Sequence, residues 1–252
     1  MNVVVNGLMT HYERRGSGPV VLLLHGWGDS QKTFANQSSL SDDFELISLD
    51  LPGFGDTETP RETFGLQEYA RFVADFTSKI GISRVHAIIG HSNGGAIAIK
   101  ACSHGLLRPN KLVLLASSGI RSEYRGKKKL LRITAKSMKY PTKVLPKRLQ
   151  TSIKKRAYSA IGSDMFVAEK LQETFKRVIS EDLQSQAVKV SCPSLLVYGT
   201  EDTATPVEYG QIFSDILPDS KLKILNGAGH FLHQTHSSEV NTLLVAFLGT
   251  KQ

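Results

Sequence analysis

A serine framed by glycines, Gly90-His91-Ser92-Asn93-Gly94, is the stretch of this chain best suited to covalent chemistry. It follows the apolar run Val85 to Ile89 and leads into the small residues Gly95 and Ala96, where a helix is expected to begin. Gly-x-Ser-x-Gly between a strand and a helix places the serine on a sharp turn, with its hydroxyl at the carboxyl edge of a sheet. Glycines on either side let neighbouring backbone approach without a Cβ in the way. The first turn of the following helix carries free N–H groups and a partial positive charge, which suit a developing oxyanion. Outside a strand–turn–helix context the same pentapeptide reads equally well as a Gly-rich turn.

A serine hydroxyl is a weak nucleophile unless a base takes its proton and a carboxylate orients that base. Serine, carboxylate and histidine, in that chain order, form one of the known arrangements. Downstream, the run Leu195 to Gly199 ends in Thr200-Glu201-Asp202-Thr203-Ala204-Thr205-Pro206, and Lys221 to Leu225 ends in Asn226-Gly227-Ala228-Gly229-His230. Asp202 and His230 therefore lie just past the carboxyl ends of expected strands, at the sheet edge where open α/β sheets place their sites.

The elements that must hold these residues follow from the pattern of apolar runs. Pro19 to Leu24, Phe44 to Leu49, Val85 to Ile89, Lys111 to Leu115, Ser194 to Tyr198 and Lys221 to Leu225 are short and mostly apolar at successive positions. That pattern marks strands buried on both faces, as in a parallel sheet covered by helices. Helices are expected over Leu66 to Ile80, Ala96 to Cys102, Val207 to Ile216 behind Pro206, and Val240 to Phe247. Met1 to Val5 and Met9 to Arg14, separated by a stretch opening with Asn6-Gly7, predict an antiparallel hairpin that feeds the sheet. The total is eight strands in an α/β sheet, mostly parallel, with helices on both faces.

From Gly119 to Ala187 the alternation stops. Helices are expected at Lys127 to Met138, Thr151 to Ala160, Met165 to Lys176 and Arg177 to Gln186, with no strand. Fourteen Lys or Arg and a single acidic residue, Glu123, fall between Arg121 and Ala160, against 17 basic and 22 acidic residues in the rest of the chain. Such a shift in composition marks a module boundary. Residues 121–187 are expected to form a basic, inserted helical cap on a core made of 1–120 and 188–252.

With these pieces in place the chain resembles the α/β-hydrolase fold superfamily, in particular its single-domain, cap-bearing serine hydrolases. The resemblance spans nearly the whole chain and rests on His25-Gly26-Trp27-Gly28, Asp50-Leu51-Pro52-Gly53-Phe54-Gly55, the Ser92 turn, Gly199-x-x-Asp202-x-x-x-Pro206 and Gly227-x-Gly229-His230. It implies Ser92 as nucleophile, His230 as general base and then acid, and Asp202 as the carboxylate that orients it. It also implies an oxyanion hole made by the backbone N–H groups of Trp27 and Asn93. Glu201 beside Asp202, and His233 and His236 beside His230, are the competing assignments; the spacing to Pro206 and the Gly-x-Gly-His pattern favour Asp202 and His230. His25 is expected to support the oxyanion loop and His91 to be buried structure. Asn93 departs from the apolar or larger side chains many relatives carry there, which bears on acyl preference.

Composition bounds the alternatives. Hydrophobic residues at 40% and charged residues at 21% exclude a wholly disordered chain. Two cysteines, Cys102 and Cys192, exclude a disulfide scaffold and a Cys-rich zinc site, and both are expected to act as small buried hydrophobes. No cofactor and no metal is expected. The first residues lack a cationic segment followed by a long apolar one, and the longest apolar run is Leu243 to Leu248, so a cytoplasmic protein without a membrane span is expected. The net charge of +8 raises polyanionic partners, but no nucleic-acid motif accompanies it. The basic cap is expected to be a solvated face, with steering of anionic ligands or contact with an anionic surface as the functional alternative. The function expected is hydrolysis of carboxylic esters of small or medium acyl groups through an acyl-enzyme. The alternatives are carbon–carbon hydrolysis of ring-cleavage products and, from a different class, a hydrolase-fold binding or sensor protein. The partner is a small-molecule substrate; oligomeric state is not indicated.

Overall fold

In a computed structural model the described residues are 1–121 and 171–249. Eight strands form one sheet: β1 Asn2–Val5, β2 Leu8–Arg15, β3 Val20–Leu24, β4 Glu45–Leu49, β5 Ala87–His91, β6 Lys111–Leu115, β7 Ser194–Gly199 and β8 Ser220–Leu225. Their spatial order is β1-β2-β4-β3-β5-β6-β7-β8. β1 and β2 are antiparallel to each other, β2 is antiparallel to β4, and every later pairing is parallel. The expected hairpin is present, with Asn6 and Gly7 at φ 49° and 79°, the left-handed pair a two-residue turn requires.

The central strands are buried on both faces because each side chain has a layer to enter. Leu22, Leu24, Ile88, Leu112, Leu114, Leu196 and Tyr198 join one apolar cluster, and the alternate residues Val21, Leu23, Ile89, Val113, Leu115 and Val197 join the other. Each such side chain withdrawn from water contributes about 1.5–3 kcal/mol before conformational entropy is counted. The first cluster is covered by α1 Leu66–Lys79, α2 Asn93–Ser103, α3 Gln172–Ser180 and α5 Val207–Ile216; the short α4 Gln184–Ala187 precedes β7. The second is covered by a 3₁₀ segment, Gln31–Asp42, and by α7 Ser237–Leu248, which follows the short α6 Leu232–Thr235. Helix α1 shows why its sequence is helical: Leu66, Tyr69, Ala70, Val73, Phe76 and Thr77 form one buried stripe, and the Glu68 carboxylate accepts the Gly65 N–H at 2.6 Å.

Four expectations are corrected. β5 runs two residues further, through Gly90 and His91. Helix α2 starts at Asn93 rather than Ala96, because Gly94 and Gly95 lie inside it. Strand β8 is not buried on both faces: it is the sheet edge, and Lys221, Lys223 and Ile224 are exposed. Helix α3 runs straight across the break expected between Lys176 and Arg177, since Thr174, Phe175 and Val178 make one buried face against the core. The remainder of the expected cap, 122–170, with its charged helices, lies outside the described residues.

Helix α2 is almost wholly buried, and its small residues explain its position against β3 and β5. A Cβ on Gly94 would stand 2.0 Å from the Leu24 carbonyl oxygen, and one on Gly90 would stand 2.5 Å from Gly95 Cα. These are backbone atoms and cannot swing away. Gly94→Ala is therefore expected to destabilise the protein by about 1–3 kcal/mol, read as a fall of several degrees in Tm by circular dichroism. An unchanged Tm would mean that the helix can shift off the sheet without loss.

Candidate active site

Ser92 stands between β5 and α2 at φ 51° and ψ −115°, in the region that costs a non-glycine residue about 1–3 kcal/mol. Hydrogen bonds over-determine that backbone. The Ser92 N–H donates to the Leu115 carbonyl at 3.0 Å, and the Ser92 carbonyl accepts from Gly95 at 3.1 Å and from Ser118 at 3.1 Å. Its side chain thereby meets His230 from later in the chain, which in turn meets Asp202.

His230, between β8 and α6, places Nε2 3.0 Å from Ser92 Oγ and Nδ1 2.8 Å from Asp202 Oδ2. Asp202 follows β7 and has a fully buried side chain. Its Oδ1 accepts the amides of Ala204 and Thr205 at 2.8 and 2.9 Å. Burial pushes this carboxyl up, but the hydrogen bond and charge of His230, with the Thr205 contacts, outweigh it and hold the group below the usual carboxylate range. An ionised carboxylate can only accept, so Nδ1 of His230 carries the proton and Nε2 presents its lone pair to the Ser92 hydroxyl.

Of the competing residues, Glu201 is exposed. His233 is buried and turned to another partner: Gln234 Nε2 donates to Thr33 Oγ1 at 2.8 Å, leaving the Thr33 hydroxyl to donate to His233 Nε2 at 2.9 Å. The N–H groups of Trp27 and Asn93 find no acceptor among the described residues. The side chains of both are buried, and the Trp27 indole N–H and both amide atoms of Asn93 are likewise unpaired. Trp27 packs on Phe54 and Phe175, with ring centroids 4.8 and 5.0 Å apart.

Three supporting contacts hold the site, of which the sequence pointed to that of His25. The Thr205 hydroxyl lies 2.7 Å from Asp202 Oδ2 and 2.9 Å from the Ala116 carbonyl, tying the acid loop to the end of β6. The signal for it is the Asp-x-x-Thr spacing, which is that of a local side-chain turn. His91 Nε2–H donates to the His230 carbonyl at 3.0 Å, fixing the main chain that carries the imidazole. His25 links the loop after β3 to the loop after β4: Nδ1–H donates to the Gly26 carbonyl at 2.7 Å and Nε2 accepts the Leu51 N–H at 2.9 Å.

Burial lowers the basicity of His25, His91 and His233, the last to about 4; neighbouring imidazoles push His91 down further. In the unfolded chain each takes its proton near pH 6.5. Below that pH the unfolded state binds more protons than the folded one. Stability is therefore complete above about pH 6.5 and is lost as pH falls toward the folded values. Each imidazole adds up to about 1.4 kcal/mol of destabilisation per pH unit. The urea midpoint is expected to fall steeply between pH 7 and 5; a flat profile there would show these rings protonated inside the fold.

Among the described residues, His11, Asp50 and Asp56 bring three possible metal-ligand atoms within 4.8 Å of one another. Asp50 Oδ1 accepts the Gln31 amide at 2.7 Å and Oδ2 the Asp56 amide at 2.9 Å, so Asp50 ties these two loops together. Among the described residues no helix is long and apolar enough to cross a membrane.

Comparison with known proteins adds relatives to this geometry. The model of the Alpha/beta hydrolase family matches residues 21–243. An uncharacterized protein of Mycobacterium tuberculosis is 25% identical over 277 residues, covering 98% of this chain and 80% of its own length. The 2-hydroxy-6-oxo-6-(2'-aminophenyl)hexa-2,4-dienoic acid hydrolase of Metapseudomonas resinovorans is 24% identical over 263 residues, covering 99% of this chain and 90% of its own. Among solved structures, an esterase from Exiguobacterium antarcticum has a TM-score of 0.76 at 21% identity, with 98% of each chain covered, a likeness of fold. With the family match running from β3 through β8 and a named hydrolase among the relatives, the chain belongs to the alpha/beta hydrolase family and is an enzyme of the hydrolase class.

Proposed function

We propose that the protein cleaves carboxylic esters of small or medium acyl groups through an acyl-enzyme on Ser92. The observation that carries this is the pair of hydrogen bonds through His230, 3.0 Å to Ser92 Oγ on one side and 2.8 Å to Asp202 on the other. Ser92 Oγ bonds to the ester carbonyl carbon as its proton passes to His230 Nε2. The tetrahedral oxyanion is stabilised by the N–H groups of Trp27 and Asn93. The carbon–alkoxy bond breaks and the leaving alcohol takes the proton from His230. A water then gives its proton to His230, attacks the acyl carbon and releases the acid, and the proton returns to Ser92. Asp202 stays ionised throughout and stabilises the imidazolium.

The test is labelling of the native protein by a fluorophosphonate, with hydrolysis of p-nitrophenyl acetate and butyrate; both are expected, and both are expected to be lost in Ser92→Ala. Absence of both in the wild type would overturn the reading in favour of a binding protein. Carbon–carbon hydrolysis is the second reading, favoured by the dienoic acid hydrolase among the relatives. Turnover of a ring-fission dienone with labelling intact, and no ester turnover, would select it. Residues 121–187 are proposed as the cap over this site. Trp27 and Phe175, in contact, would then lie where cap and core meet.

A further inference from the structure

One buried imidazole touches both halves of the pair that the chemistry above uses. His91 ends β5, directly precedes Ser92 and is 1% exposed. Its ring lies 4.9 Å from that of His230, 4.4 Å from that of His233 and 5.3 Å from that of Phe231, centroid to centroid. It also abuts the loop after β3: a Cβ on Gly26 would stand 3.0 Å from His91 Nδ1 and 3.2 Å from Ser92 Cβ. Burial, then the neighbouring imidazoles of His233 and His230, lower its basicity, so at neutral pH the ring carries one N–H. A carbonyl oxygen only accepts, so that hydrogen sits on Nε2, which is 3.0 Å from the His230 carbonyl. Nδ1 has no partner among the described residues.

The main chain of His230 depends on this contact. Before it, the Gly227 N–H donates to Thr200 Oγ1 and the Ala228 carbonyl accepts the Glu201 N–H, both at 2.9 Å. After it, the Phe231 carbonyl accepts the N–H groups of Gln234 and Thr235 at 2.9 and 3.1 Å. Between these anchors, and among the described residues, the bond from His91 is the one hydrogen bond that the His230 backbone makes. The neighbouring Gly229 adds no packing there, since a Cβ on it would meet nothing within 4 Å.

We propose that His91 is a positioning residue that sets the distance between the Ser92 hydroxyl and the His230 imidazole. The proposal rests on the reading of Ser92 and His230 as nucleophile and base. The peptide from His91 to Ser92, the bond from the His91 ring to the His230 carbonyl, and the bond from the His230 ring to Ser92 Oγ close one short circuit. Asp202 stands outside that circuit. The carboxylate decides which nitrogen of His230 carries hydrogen; His91 decides where the backbone bearing that ring stands. Without the His91 donor the segment between Ala228 and Phe231 is free to shift, and a displacement of about 1 Å at a reacting pair costs about 10²-fold in rate. Substrate binding that does not draw on the pair is spared, so the loss falls on kcat and not on KM.

The experiment compares His91→Leu, His91→Gln and His91→Asn in the full-length protein. It reads the second-order rate constant for fluorophosphonate labelling, kcat and KM for p-nitrophenyl butyrate, and Tm. Leucine fills the space without a donor. The amide nitrogen of glutamine reaches about as far from the main chain as Nε2 of histidine, and that of asparagine only about as far as Nδ1. His91→Leu and His91→Asn are expected to lower the labelling constant and kcat about 10²-fold, with KM changed less than about threefold. His91→Gln is expected to label and turn over about tenfold faster than His91→Asn, at a similar Tm, a rescue that a purely structural role would not produce. Labelling of His91→Leu within about threefold of wild type, or equal losses in the two amide variants, would overturn the proposal and leave the Ser92 reading standing. Should His91→Leu fold poorly, the two amides decide. A wild-type protein that does not label would instead overturn the Ser92 reading, and this proposal with it.

Discussion

Ser92→Ala is expected to lower kcat for p-nitrophenyl butyrate by about 10⁴-fold or more without unfolding the protein. In the proposed mechanism the hydroxyl is the atom that bonds to carbon, and no neighbour can replace it. The imidazole of His230 reaches Ser92 at 3.0 Å but is held from behind by Asp202. Alanine keeps the Cβ, the left-handed backbone and the amide contacts of Ser92 to Leu115, Gly95 and Ser118. Circular dichroism and the urea midpoint should therefore match wild type closely. The residual rate should come from the amide dipoles alone. Loss of less than tenfold, measured on protein free of contaminating esterase, would remove Ser92 from the nucleophile's role.

Asp202→Asn is expected to cost about 10⁴-fold in kcat, through a proton placed on the wrong nitrogen. The carboxylate accepts the Nδ1–H of His230 at 2.8 Å and so leaves Nε2 free to receive the serine proton. An amide in its place can turn its NH₂ toward Nδ1. The imidazole then carries its hydrogen on Nε2, where it faces Ser92 as a donor and cannot act as base. The backbone donors of Ala204 and Thr205 would still find the amide oxygen at the former Oδ1 position, so the loop should persist. KM should change much less than kcat, because the carboxylate stabilises a charge that exists only during reaction. Glu201→Gln serves as the matched control: Glu201 is exposed, and its replacement is expected to alter kcat less than twofold. Equal losses in both variants would return the assignment to the spacing question the sequence poses.

The positions of Ser92, Asp202 and His230 were legible because each follows an apolar run, and apolar runs report strands directly. The eight-stranded sheet was legible for the same reason, with strand ends displaced by one or two residues where a turn glycine such as Gly90 continues the ladder. What escaped notice depends on contacts between distant residues. Gly94 and Gly95 look like helix breakers in isolation, yet they are the only residues that let α2 lie against the Leu24 and Ser117 atoms facing them. The 3₁₀ segment Gln31–Asp42 has a mostly polar sequence with no clear period. It is anchored through Gln31 to Asp50, through Thr33 to His233 and through Gln37 to the His233 carbonyl. The break expected between Lys176 and Arg177 falls inside helix α3, where Arg177 extends to the Thr63 carbonyl at 3.0 Å. The Thr205 and His91 supports needed knowledge of which carbonyls would stand opposite them. Only the assembled fold supplies that.

The bond between His230 and Ser92 spans 138 positions of the chain. Its partner contact, from His230 to Asp202, joins the segments that follow β8 and β7, and those strands pair in turn beside β6. No stretch that stops short of residue 230 can hold an imidazole over that alcohol, however well its own strands have formed. On the proposed mechanism, a nascent polypeptide leaving the ribosome is expected to display an inert serine until nearly all of the domain is in place. The appearance of turnover in a refolding experiment should accordingly lag behind the return of helical ellipticity, timing the last docking event of the fold.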